Sequence, residues 1–182
     1  MNKISFWLMS LFIGGFLIIA HNNAVAQEAS GEAESTKVIV SKIQHNCSDL
    51  KANLRQIHTN DALIRVNSGQ IYNSIATKLM ARLNSRLSIN RLDGAMLIDT
   101  TSKFEKLRTN FATQYNNYDN TMADLLHIDC KKSPAEFYNK LQETRKLRSE
   151  LAVTANQLAE YIATYRQGVV DLSTQIKGGS GE

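Results

Sequence analysis

The chain has 182 residues, with 21 Lys and Arg against 17 Asp and Glu and a formal charge of +4. That length is enough for one domain with a real core, and the charge is too mild to imply nucleic acid as a partner. A single proline, sparse turn residues and no strand-like alternation leave long helices as the economical architecture.

The opening "MNKISFWLMSLFIGGFLIIAHNNAVAQEA" has the layout of a secretory signal peptide. Lys3 is a short positive region, Ile4–Ala20 an apolar run, and Ala24-Val25-Ala26 a small-residue cleavage site. Cleavage after Ala26 is expected, which makes 1–26 a signal peptide and removes Lys3, leaving +3. An uncleaved segment would instead anchor the chain in a membrane; its 17 apolar residues fall slightly short of a full span. Either way the protein is expected to be exported. Residues 27–35 are small and polar and read as a flexible lead-in, and 178–182 as a flexible tail.

Between them, 36–177 reads as a helical bundle. In the first segment Ile43, Cys47, Leu50, Leu54, Ile57, Asp61, Ile64, Ser68, Ile71 and Ile75 step by four and three, and Leu79, Leu83 and Leu87 follow one slot later. The polar entries Asp61 and Ser68 weaken this seam, so the segment is one long bent helix from about 36 to 87 or breaks near 58–69. Asp93-Gly94 marks a turn. Leu97, Thr101, Phe104, Arg108, Phe111, Tyr115, Tyr118, Met122 and Leu125 then predict a second helix over about 95–127. A third runs from Pro134 to near Lys177, on a seam from Phe137 through Leu158 and Tyr165 to Ile176; at 1.5 Å per residue it is roughly 65 Å long. Its start is signalled by Ser133, Pro134 and Glu136 at N-cap, N1 and N3. The fold class is all-α, a long antiparallel three-helix coiled-coil-like bundle, with four helices if the first breaks.

Such a hairpin brings the two cysteines together. With the first turn centred near Arg91, Cys47 falls level with about residue 135, and the loop can absorb the roughly 7 Å offset to Cys130. An exported chain favours a Cys47–Cys130 disulfide. A zinc set of His45, Cys47, His127 and Cys130 is disfavoured, because residues two apart on a helix point to different sides.

Catalytic motifs are absent from the sequence: there is no Gly-rich phosphate loop, G-x-S-x-G, H-E-x-x-H or C-x-x-C-H, and no pair of Glu-x-x-His segments for a carboxylate-bridged iron site. No enzymatic activity, cofactor or metal is expected. The aromatics Phe104, Phe111, Tyr115, Tyr118, Tyr161 and Tyr165 fall at seam spacing and read as core. One charge pattern stands out: between Asp61 and Asp93 there is no acid, while Lys78, Arg82 and Arg86 recur every four residues and Arg91 follows. This stripe is a solvated face or a contact for an anionic surface such as lipid headgroups, envelope polymer or an acidic protein.

The stretch "IDCKKSPAEFYNKLQETRKLRSEL", with Ile128, Asp129, Cys130, Pro134, Phe137, Tyr138, Arg145 and Arg148, and Tyr165 further on, resembles uncharacterised exported helical-bundle proteins of candidate-phylum bacteria, the Saccharibacteria and relatives. The resemblance implies an exported bundle with a cysteine at its last turn, and no activity. The expected role is a non-enzymatic, envelope-associated scaffold or protein-interaction module, able to form homo-oligomers and to meet an envelope protein or anionic cell-surface component. The alternative is an extracytoplasmic holdase or apolar-ligand carrier.

Overall fold

The computed structural model describes residues 24–179, built from helices and turns with no strand among the described residues. The fold is all-α. The elements are α1 (Ala24–His45), α2 (Cys47–Ser74), a π-helical stretch (Ile75–Met80), α3 (Ala81–Ile89), α4 (Ala95–His127) and α5 (Pro134–Gly179). Helix α1 takes in residues 27–35, expected as a lead-in, and α5 extends through Gly179. Most of the expected signal peptide, residues 1–23, lies outside the described residues. The chain divides into two compact units, one ending at Val38 and one beginning at Ile39; everything below concerns the second.

From Ile39 to Ile89 the chain is one rod. Hydrogen bonding continues through Asn46, whose N–H donates to Lys42 O while its own carbonyl accepts from Leu50. The region 58–69, the candidate break, is unbroken α-helix. The irregularity falls later, at Ile75–Met80, where the apolar period slips by one slot. A π-helical stretch absorbs an added residue without ending a helix. Leu79 consequently turns outward, 62 % exposed, and Met80 takes the core position at 1 %.

The seam of α2 also differs from the simple heptad reading. Ile57, Ile64 and Ile71 are exposed. Their neighbours His58, Arg65 and Tyr72 face α4 instead: His58 Nε2 lies 2.7 Å from Asp119 Oδ1, Arg65 sits 5.0 Å above the Tyr115 ring, and Tyr72 packs edge-on against Phe104 and Phe111. Aromatic and cationic side chains on one helix meet aromatics on the other, which rotates α2 by about one residue from the isoleucine row.

Helices α4 and α5 approach closely along their length, whereas α2 stands further from α5 and reaches it through long side chains. Gly168 on α5 is one reason for the close approach: a Cβ there would meet Met96 and would lie 2.8 Å from Leu97 Cδ2. Buried residues form two clusters. The lower one gathers Cys47, Tyr118, Leu125, Cys130 and Phe137 near the α4–α5 turn. The upper one gathers Met80, Leu87, Phe104, Leu158 and Tyr165 toward the α3–α4 turn. Phe104, Phe137 and Leu158 are fully buried, each contributing about 1.5–3 kcal/mol by removal from water.

Two glycines give opposite expectations. Gly69, in mid-helix with open space where a Cβ would lie, should gain about 0.5–1 kcal/mol on Gly69→Ala from the smaller entropy of the unfolded chain. Gly168→Val should lose about 1–3 kcal/mol by overpacking against Met96 and Leu97. Urea unfolding of both variants measures the two signs.

Candidate functional site

Three places in the second unit hold groups that could act. At the lower end, Cys47 opens α2 and Cys130 lies in the turn before α5; the structure joins them, with Cα atoms 5.6 Å apart. Bonded to each other, neither offers a thiolate to a metal. Two side chains of the first rod fix the same turn: Lys51 Nζ donates to Ile128 O at 2.9 Å and Gln44 Nε2 to Lys131 O at 2.9 Å. Asp129 Oδ1 accepts from the N–H of Lys131 at 3.0 Å and of Lys132 at 3.3 Å. With the Ser133 N–H donating to Asp129 O at 2.8 Å, these bonds organise the entry to α5. The hydrogen bond from Lys131 N–H is the main force holding the Asp129 carboxyl below the usual carboxylate range.

Between the two clusters sits a polar node. Arg148 on α5 donates from Nε to Asp61 Oδ2 at 2.7 Å and from Nη2 to Oδ1 at 3.0 Å. Tyr118 on α4 donates its hydroxyl to the same Oδ2 at 2.6 Å. Asp61 therefore binds α2 to both other rods. Its side chain is 12 % exposed against 55 % for Arg148. Burial opposes its ionisation, but the hydrogen bonds from Arg148 and Tyr118, with the charges of Arg148 and His58, outweigh that and hold its carboxyl below the ordinary 3.8. Burial first, then the bond to Asp61, pushes the Tyr118 hydroxyl up. The node holds ionised and neutral partners in fixed positions across three helices and so fixes their register.

At the upper end lies a groove of about 640 Å³ between the first rod and α5. Met80, Leu83, Ile162 and Val169 give it an apolar lining, and Lys78, Arg82, Arg86 and Arg166 are its cations; no acid lines it. A smaller hollow of about 330 Å³ shares Leu83, Arg86 and Val169 with it and continues toward Leu92 and Lys177. Three of the four residues singled out for anionic contact thus meet here. Arg91, the fourth, lines neither hollow. It sits in the α3–α4 turn with φ 55°, where Arg91 N–H donates to Ser88 O at 3.1 Å and Leu92 N–H to Leu87 O at 2.9 Å. This pattern is a Schellman cap, whose left-handed position usually holds glycine.

Arg166 was not singled out by sequence reasoning. It lies next to the seam residue Tyr165, whose hydroxyl donates to Met80 O at 3.2 Å and to Asn84 Oδ1 at 2.9 Å. Levelling α5 against the first rod by residue count was the signal that could have placed it beside the stripe. No protein-family model, curated protein or solved structure matches the chain. No helix among the described residues is long and apolar enough to cross a membrane.

Cys47 and Cys130 are 83 residues apart, and in the chain-entropy picture closing that loop contributes on the order of 4 kcal/mol at most. Cys47→Ser with Cys130→Ser should lower the unfolding midpoint and open Lys42–Arg55 to trypsin first, as read by mass spectrometry of early fragments. Asp61→Asn should cost about 1–2 kcal/mol at pH 7 by losing charge-assisted bonds. Because the folded carboxyl titrates below 3.8, its contribution is complete above that value and is lost as pH falls through the lower folded value. Acid unfolding of the Asn variant should therefore show a shallower slope below about pH 4.

Proposed function

We propose that this chain is a non-enzymatic exported protein, an envelope-associated scaffold or protein-interaction module that works by presenting long helix faces, with its upper end against an anionic envelope component. The observation that carries this reading is the set Lys78, Arg82, Arg86 and Arg91. All four are exposed, and none has an ion pair among the described residues. Asp93, the acid nearest to them in sequence, accepts from Ala95 N–H.

Two further features support it. Ile89 is 77 % exposed beside these cations, and Leu92, Met96 and Ile98 are exposed close by in sequence; basic residues interleaved with apolar ones suit a headgroup surface. An Arg in the left-handed region costs roughly 1–2 kcal/mol against glycine, and such a cost persists most often where a site uses the residue. Each cation near an anionic leaflet contributes about 1 kcal/mol, so four give reversible docking without a membrane span. The exposed row Ile57, Ile64 and Ile71 repeats every seven residues and offers a face to a partner helix, including one from a second copy. A Cys47–Cys130 bond fits an oxidising, extracytoplasmic compartment.

Binding to phosphatidylglycerol vesicles at low salt should fall at least fivefold on replacing Lys78, Arg82 and Arg86 with Gln, and should be weak to phosphatidylcholine vesicles throughout. Arg91→Gly should raise the unfolding midpoint while weakening vesicle binding. Co-sedimentation of the Gln variant equal to that of the unaltered chain would discard the anionic contact.

A further inference from the structure

We infer that the upper groove is a binding site for a single-chain anionic amphiphile, a long-chain carboxylate of the fatty-acid type. Three observations meet there. The first is charge complementarity: Lys78, Arg82 and Arg86 come from the first rod and Arg166 from α5, on opposite sides of one apolar hollow with no acidic lining. Glu160 and Asp171, the acids nearest on α5, do not line it, and Asp171 is engaged by Gln167 Nε2 at 2.8 Å. None of the four cations has an ion pair among the described residues, so a carboxylate head would gain their attraction without displacing a protein acid.

The second is shape. The hollow of about 640 Å³ joins one of about 330 Å³ through shared residues, within the usual range of small-ligand sites, roughly 300–1,000 Å³. It follows the first rod from Ile75 to the end of α3 at Ile89, about 20 Å at no more than 1.5 Å per residue, and reaches Leu92 in the turn beyond. That form suits one extended acyl chain rather than the paired chains of a bilayer lipid. The third is the π-helical stretch Ile75–Met80 in its wall, which turns Leu79 outward to the lip while Met80 stays in the core; such insertions recur at functional sites. A hollow of equal volume between α4 and α5 has none of this bias, since Glu160 lines it together with Lys103 and Lys106 and Lys103 is paired with Asp99.

The site uses the same cations as the envelope reading above, and the test separates the two. The protein in its natural form is titrated with a fluorescent fatty-acid analogue, displaced by oleate, and in parallel with phosphatidylglycerol vesicles. We expect saturable one-to-one binding, displacement by oleate but not by the neutral amphiphile dodecyl maltoside, and about tenfold weaker affinity in K78Q/R82Q/R86Q. Leu79→Glu with Val170→Glu places acids at two lip positions, 62 % and 51 % exposed, where the fold tolerates them. Binding should be lost there with circular dichroism unchanged. Absence of saturable oleate binding, or undiminished binding in the double Glu variant, overturns the proposal. Vesicle binding without oleate binding overturns the groove and keeps the envelope reading; oleate binding without vesicle binding keeps the groove and removes that reading.

Discussion

Among the described residues, Asp61 is the one carboxylate hydrogen-bonded across all three rods. Its oxygens take Arg148 from α5 and the Tyr118 hydroxyl from α4, while the helix that carries it stands apart from α5. Apolar seams alone leave a helix free to slide by a heptad, because each step re-creates similar contacts. A bidentate carboxylate–guanidinium pair with a third hydrogen bond does not slide, since any shift strands a partly buried charge. The Asp61 node therefore sets the height of the first rod, and both the cysteine pair below it and the groove above it inherit that height.

Much of this was legible in the sequence. The turn at Asp93-Gly94 fixes which residues of the first rod meet α4, and the observed pairs Arg65 with Tyr115, Asp61 with Tyr118 and Asn84 with Thr101 lie near the level that turn dictates. Helices α4 and α5 begin and end close to where their seams and caps place them, because both seams are nearly unbroken. The first rod was harder. A four-three count cannot distinguish the isoleucine row from the adjacent row of His58, Arg65 and Tyr72, since both repeat every seven residues. Hydrophobicity favoured the isoleucines, but aromatic and charged partners waiting on α4 decided for the other row. Asp61 looked like a flaw in the seam because its compensation lies on two distant segments.

The groove was only half legible. The acid-free interval and the spacing of Lys78, Arg82 and Arg86 are plain in the chain, but nothing local says that Arg166 faces them. Residue counting from the turns puts Ile176 level with about residue 86, an offset near 90. The structure gives 87 at Asp61–Arg148, 85 at Met80–Tyr165 and 81 at Asn84–Tyr165. The Tyr165 hydroxyl, touching two residues one turn apart, brackets an offset smaller than that at Arg148, the direction expected where the π-helical stretch fits an extra residue into the same height. That local change of pitch is invisible to a count that assumes uniform rise.

The same stretch explains why the upper end is open while the lower end is closed. Below Asp61, the cysteine pair, Lys51 and Gln44 tie the first rod directly to the α4–α5 turn. Above it, the one-slot slip keeps Met80 in the core and turns Leu79 outward, and the tie to α5 is Tyr165, reaching across to Met80 O and Asn84. A long side chain spans a gap that shorter apolar residues would have closed, so the two helices are held together and apart at once. The cations gather on the rim of that gap because the inward positions between them are taken by buried Met80 and Leu87 and partly buried Leu83. A bundle that only needed to be stable would gain from filling the space and pairing the charges; this one keeps the space apolar and the charges free of ion pairs among the described residues, the arrangement that a ligand with a greasy body and a negative end would complete.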